Sequence, residues 1–199
     1  MKQLSMKLPT WGGARAGAGR KPKGRRAGVS HLKRPRFAAR HPVHVTMRML
    51  PSVGFLRGAK RYRAIESALR MARERLGVRI VHFSVQGTHL HLLVEAEDAA
   101  ALARAVQGLA IRLARALNRV AHRKGKAFAD RYHGRVLRTR LEVALAIRYI
   151  LQNFRHHLRE DVAPRGEDPC SSAMWLRLPL SPDAPVVAPR TWLARHAYG

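Results

Sequence analysis

The residues best suited to chemistry in this chain are His89 and His91, within the stretch "GTHLHLLVE" at residues 87–95. They flank Leu90 in an otherwise apolar run. Residues two apart in a strand project from the same face, ~7 Å apart along the chain. Two imidazoles placed so can converge on one divalent cation; taken alone, the pair is equally the pattern of stacked surface histidines. A second cluster lies in "RYILQN". Tyr149 and Asn153 are i and i+4, hence neighbours on one helical face. They sit about 100° round from the stripe Val143, Ile147, Ile150 and Phe154 by helical-wheel counting. Both are candidates to supply the further ligands that a cation would need. The ordinary alternatives are an aromatic at a helix–sheet boundary and a solvated surface amide.

Other groups compete for these roles. Tyr132 in "DRYHGR", with Asp130 and His133 beside it, competes with Tyr149. His133, His156, His157, Arg131 and Arg135 read as phosphate contacts or ordinary surface. Glu95 shares the face of His89 and His91; it could orient a ligand histidine or simply end the strand as a surface charge. Chemistry needing several convergent carboxylates is disfavoured by the shortage of acids, 12 Asp+Glu in 199 residues. That argues against a DDE-type transposase or a two-metal nuclease. No Walker loop or Rossmann fingerprint appears, because "GARAGAGRK" lacks a preceding strand and a following helix, so no nucleotide cofactor is expected. The single cysteine, Cys170, excludes a disulfide framework and a cysteine-rich zinc site.

Charge narrows the partner. There are 39 Lys+Arg, for a formal net charge of +27, and a balance this lopsided repels itself unless the partner is a polyanion. Nucleic acid is the first expectation, ahead of a membrane surface or a ribosomal-type structural role. The N-terminus "MKQLSMKLPTW" has no apolar signal core, and no apolar run approaches the ~20 residues of a membrane span. A cytoplasmic, nucleoid-associated protein with no membrane partner is expected.

The elements that must position these residues are readable from periodicity. Val43, Val45, Met47 and Met49 alternate in "HPVHVTMRM", a period-2 strand. Tyr62, Ile65, Leu69, Ala72 and Leu76 recur at helical spacing, with Gly77 as the stop. "VRIVHFSV" and "HLHLLVEA" are two apolar strands separated by "QGT", a tight hairpin. Asp98 caps a long helix with Leu102, Val106, Leu109, Leu113, Leu117 and Val120 along one stripe. "AFADRYHGRVLRT" reads as a fourth strand, and Thr139 starts a last helix running to about His157. The order β-α-β-β-α-β-α predicts an α+β fold, a ferredoxin-like or RRM-like antiparallel sheet with helices on one face and an extra C-terminal helix.

Composition divides the chain in three. Residues 1–40 hold twelve Lys or Arg and no acid, a basic arm expected to be disordered. Its Arg20, Lys21, Lys23, Arg25 and Arg26 are candidate DNA contacts. The core "GRKPKG" is similar to an AT-hook without its central Arg-Gly-Arg-Pro, or is a solvated linker. Residues 41–158 carry the patterned domain. Residues 159–199 form a Pro-rich tail expected to be irregular and to pack patchily on the domain.

Taken together, "GTHLHLLVE", then "RYILQN", in that order of elements, resemble the HUH endonucleases. The resemblance is to the single-tyrosine transposases, and among them to the REP-associated tyrosine transposases. It covers roughly 41–158. It implies that His89 and His91 are the metal-binding histidines, Tyr149 on the extra helix the nucleophile, and Asn153 the amide completing the metal site. It further implies Mg²⁺ or Mn²⁺ as cofactor, and cleavage and transfer of single-stranded or hairpin DNA through a 5′-phosphotyrosine. Members often continue with Asn-Pro-Val where this chain has "NFRHH", a departure that bears on substrate specificity. Such proteins act as monomers or as homodimers, and both remain open. Arg131, Arg135 and Arg138 are expected to contact DNA. The alternative is a hairpin DNA- or RNA-binding protein that does not cut. The strands offer only Phe83, Phe128 and Tyr132 as bases for a stacking platform, which disfavours an RNA-binding sheet.

Overall fold

The computed structural model describes residues 36–154, 166–176 and 180–197. The candidate contacts Arg20, Lys21, Lys23, Arg25 and Arg26, His156 and His157, and the predicted run of the last helix to His157, lie outside these residues.

The elements are β1 (Val43–Arg48), α1 (Ala59–Ala72), β2 (Glu74–Arg75), β3 (Val78–Val85), β4 (His89–Ala96), α2 (Ala99–Val120), β5 (His133–Val136) and α3 (Arg140–Gln152). The strands form one antiparallel sheet in the order β2-β3-β4-β1-β5. The predicted α+β class holds.

Both faces of this sheet are covered. Leu90, Leu92, Val94 and Ala96 of β4 pack with Val43, Val45 and Met47 of β1 against the stripes of α1 and α2. The alternate residue Leu93 packs with Val81 against Val143, Ile147 and Ile150 of α3. The extra helix therefore lies across the sheet from α1 and α2. This explains why β3 and β4 read as nearly continuous apolar runs, as strands covered on both faces do.

Two local expectations are corrected. The predicted first helix ends at Ala72, and Leu76, read as part of its stripe, is exposed. Leu76 and Gly77 both have positive φ, 54° and 71°, the signature of a two-residue type I′ turn joining β2 to β3. Gly77 thus closes a hairpin instead of ending a helix. The fourth predicted strand is also shorter, confined to His133–Val136, with Phe128 joined to Met49 by an isolated bridge.

The described part of the Pro-rich tail is pinned by buried polar anchors. The fully buried Asp168 forms a two-pronged ion pair with Arg57, at 2.6 and 3.0 Å. Glu95, read as a possible histidine orienter or a surface charge, is neither. It is buried and accepts hydrogen bonds from the backbone N–H of Arg190 and Thr191 and from the Thr191 hydroxyl, at 2.8–3.0 Å. Thr191 in turn caps the helical turn Trp192–Arg195, whose Ala194 packs on α3.

A third anchor titrates. His82 is buried, its Nδ1 lies 3.2 Å from Ser172 Oγ, and the same hydroxyl accepts the Phe83 N–H at 3.2 Å. Burial pushes the His82 pKa from 6.5 down to about 4. The unfolded chain therefore binds the extra proton first. Stability is intact above pH ~6.5 and falls as pH drops toward 4, by on the order of 3 kcal/mol for this one group. Urea unfolding at pH 7.5 and 4.5 should show that loss, and His82→Gln should reduce the difference by about that amount. An unchanged difference in the variant would place the proton elsewhere.

Candidate functional site

Strand register assembles the site. In an antiparallel pair, residues directly opposite share a face. Thr46 pairs with His91 on one side and with His133 on the other, and His91 pairs with Ser84. Arg48 lies opposite His89, and His44 lies opposite Arg135. Because Val43, Val45 and Met47 point into the α1–α2 core, His44, Thr46 and Arg48 point to the α3 side with His89 and His91.

Helix α3 brings the tyrosine over this face. Its start is set by a capping box, with Glu142 N–H donating to Thr139 Oγ1 at 3.2 Å and Thr139 N–H to Glu142 Oε2 at 3.3 Å. The same carboxylate accepts from Arg138 N–H at 2.7 Å and from the Arg135 guanidinium at 3.0 Å. Those donors hold the Glu142 carboxyl below the usual range, and they tie the helix start to β5. Val143, Ile147, Ile150 and Phe154 are buried as predicted, while Tyr149 is 43% exposed.

The rings then meet. Tyr149 lies edge-on to His91 with centroids 5.2 Å apart, and to His44 at 5.8 Å. His89 and His91 are 4.8 Å apart and nearly perpendicular. His91 is 4% exposed, and its Nδ1 lies 3.1 Å from His44 Nε2 and 3.2 Å from Thr46 Oγ1. His44 is held down to about pKa 4 by burial first, then by His133 and Arg135, so it is a neutral imidazole at physiological pH.

Asn153 follows α3 directly. It is 2% exposed, its N–H donates to Tyr149 O at 2.9 Å, and its buried Nδ2 has no hydrogen-bond partner. It shares with Tyr149 a cavity of about 190 Å³, lined also by Leu145, Arg148 and Gln152. Ring contacts therefore join His44, His89, His91 and Tyr149, while Asn153 is joined to Tyr149.

The other candidates separate. Tyr132 packs with the α1–α2 core on the far side of the sheet, its ring against Gly134; this is the wrong face for a nucleophile beside His89 and His91. Arg131 lines a cavity at the start of α2 with Arg36, Phe37 and Asp98. His133 and Arg135 are exposed at the site face, and Arg138 is exposed just before α3. A cavity of about 610 Å³ opens at the β2–β3 hairpin. Arg79 pairs there with Glu74 and Glu95, and Arg190 of the tail with Glu74, so the cavity lies at a seam between the sheet and the tail.

Among the described residues, no group of three or more His, Cys, Asp or Glu converges as a metal cluster. A cation here would draw on the histidine pair and an amide. The donors fit one. His91 Nδ1 is committed to hydrogen bonds, as the second ring nitrogen of a ligating histidine usually is. The orphaned amide end of Asn153 becomes an oxygen donor by a simple flip, since amide O and N are assigned from their surroundings. Imidazole with amide oxygen suits Mn²⁺, and Mg²⁺ less well.

Sequence reasoning missed His44 and Thr46. The signal was present: once Val43, Val45 and Met47 are core, His44 and Thr46 must face the other way, and pairing of β1 with β4 sets them against His91.

Comparison with known proteins adds the following. Residues 39–153 match the sequence family described as "Transposase IS200 like". The fold is similar to a REP-associated tyrosine transposase solved bound to a REP hairpin. That likeness has a TM-score of 0.59 at 14% identity and covers 82% of this chain and 93% of the other. At that identity it is a likeness of fold. A crystal structure assigned as a transposase from Deinococcus radiodurans aligns with a TM-score of 0.42 at 18% identity, over 57% of this chain and 89% of the other. No curated protein sequence matches the chain. No helix among the described residues is long and apolar enough to cross a membrane.

Proposed function

The chain belongs to the IS200-like transposase family, and from that premise we propose that it nicks and rejoins single-stranded DNA beside a hairpin, with Tyr149 as nucleophile. The observation that carries this reading is the edge-on packing of Tyr149 against the His91–His44 pair on the α3 side of the sheet.

The Tyr149 hydroxyl gives up its proton, and its oxygen bonds to the scissile phosphorus as the bond to the 3′-oxygen breaks. The leaving oxygen takes up a proton as a 3′-OH, and the strand stays joined to the protein as a 5′-phosphotyrosine. Because the phosphoester energy is kept, attack by a second 3′-OH reseals the strand without ATP. His89, His91 and Asn153 are the proposed holders of Mg²⁺ or Mn²⁺, which when bound would polarise the phosphoryl oxygens. The exposed position of Tyr149 lets a strand lie along α3, while the buried His91 and Asn153 stay fixed below it.

Arg135, His133 and Arg48 border the same face and are suited to the scissile strand. Arg138 extends that basic edge past β5 to the start of α3. Arg131, with Arg36 near the start of α2, is placed for a more distant phosphate, and the arm residues Arg20, Lys21, Lys23, Arg25 and Arg26 supply sequence-independent attraction. Residues 41–158 are the proposed catalytic domain.

The test is to incubate end-labelled single-stranded hairpin oligonucleotides from the gene's own flanks with the protein in Mn²⁺ or in EDTA. An SDS-resistant protein–DNA adduct in Mn²⁺, absent in EDTA, is the expected result. Tight hairpin binding with no adduct under any divalent metal would make this a binding protein.

A further inference from the structure

We propose that His44 is a positioning residue: by accepting the Nδ1–H of His91, it holds that imidazole in the tautomer whose Nε2 carries the lone pair. The inference rests on the function proposed above and assigns a role to a residue outside the two motifs.

The geometry excludes the simpler roles. His44 Nε2 is spent on His91 Nδ1 at 3.1 Å, so it is not directed at a cation shared with His91. Its contact with Tyr149 is ring edge to ring, with centroids 5.8 Å apart, which is packing and not a proton-transfer bond. What remains is the imidazole–imidazole hydrogen bond. That bond has two proton arrangements. In one, His44 donates and His91 carries its own proton on Nε2, where it blocks coordination. In the other, His91 donates and its Nε2 has a lone pair. Histidine ligands adopt the second, with the outer ring nitrogen donating to a fixed partner.

Thr46 Oγ1 also lies 3.2 Å from His91 Nδ1, but a hydroxyl rotates to donate or accept and cannot by itself choose the tautomer. His44 is the more constrained partner. It is carried by β1 at a register set by the pairing of β1 with both β4 and β5, between Val43 and Val45, which are both buried in the core. The strand thereby delivers a rigidly placed ring nitrogen to the back of the ligand ring before any metal or DNA arrives.

Two readouts test this without relying on catalysis. In metal-free protein at pH 7.5, long-range ¹H–¹⁵N spectra of the histidine rings should show His91, assigned by its absence in His91→Gln, protonated on Nδ1. In His44→Phe that preference should disappear. Mn²⁺ affinity, read by loss of the free-ion EPR signal, should fall by ~10–100-fold in His44→Phe, and His44→Gln, whose side-chain oxygen can accept the same proton, should recover most of it. An Nε2-protonated His91 in the wild type would overturn the proposal. So would wild-type Mn²⁺ affinity in His44→Phe, or a His44→Gln that melts like wild type yet binds as poorly as His44→Phe. Mn²⁺ binding by the wild type alongside an unaffected His44→Phe refutes only the role of His44. A wild type that binds no Mn²⁺, with or without a hairpin, refutes the metal-dependent function and this role together.

Discussion

A Tyr149→Phe variant is expected to lose covalent adduct and strand cleavage by ~10³-fold or more while binding hairpin DNA within about threefold of wild type. The substitution removes one oxygen and leaves the ring that packs edge-on to His91 and His44. It leaves the fold alone as well, because α3 is anchored by Val143, Ile147 and Ile150 and by its capping box, none of which involves the phenol oxygen. Loss of chemistry with retained binding is therefore a statement about the nucleophile. Single-turnover adduct formation on a denaturing gel, beside fluorescence anisotropy with the same labelled hairpin, separates the two quantities. The other described tyrosines are poor substitutes. Tyr132 faces the α1–α2 core, and Tyr62 is desolvated beside Glu66, which pushes its phenol well above the usual range. An adduct persisting in Tyr149→Phe would sink the assignment, and peptide mapping of that adduct would name the residue responsible.

His91→Ala should lose Mn²⁺-dependent cleavage by ~10³-fold or more, exceeding the ~10–100-fold expected when only a ligand's hydrogen-bond partner is removed. His91 sits at the centre of the site, touching His44, Thr46, His89 and Tyr149. Truncating it removes a proposed ligand and leaves the half-buried His44 without its Nε2 partner, so a modest fall in thermal stability should accompany the lost activity. His89, half-exposed at the start of β4, should be structurally milder when changed to Ala while still weakening Mn²⁺ binding. Residues acting as one unit are non-additive; the double variant His91→Ala/Tyr149→Phe should be no less active than the worse single variant. Cleavage rates across a Mn²⁺ titration decide this. A His91→Ala rate that recovers fully at high Mn²⁺ would mean that His91 only strengthens binding of the ion. A rate unaffected at all concentrations would remove His91 from the metal site.

Much of this organisation is written locally in the chain. The period-2 placement of His89 and His91 puts both imidazoles on one face whatever the sheet packs against. Asp98 and Thr139 mark their helix starts through side-chain oxygens that accept backbone N–H bonds, an interaction spanning only three residues. The stripes of α2 and α3 follow from 3.6-residue spacing. Tyr149 and Asn153 were close by the same arithmetic.

Where two structures share one local signature, the sequence was ambiguous. A glycine after an apolar residue ends a helix or closes a type I′ hairpin, and only pairing of β2 with β3 made Leu76-Gly77 the latter. Glu95 looked like a strand-end charge because the backbone N–H groups that bury it, from Arg190 and Thr191, lie nearly a hundred residues away. The tail's anchors are of the same kind: Asp168 means little until Arg57 meets it.

The sequence by itself determined the class of elements, their order apart from the short strand β2, the face shared by the two histidines and the helix carrying the tyrosine, because each follows from backbone geometry over a few residues. Only the tertiary structure decided that α3 covers the sheet opposite α1 and α2, that Tyr132 faces away, and that His44 stands behind His91. Those depend on strand order and on which sheet face a helix buries, and both are settled by contacts between residues far apart in the chain, where no local periodicity carries the information.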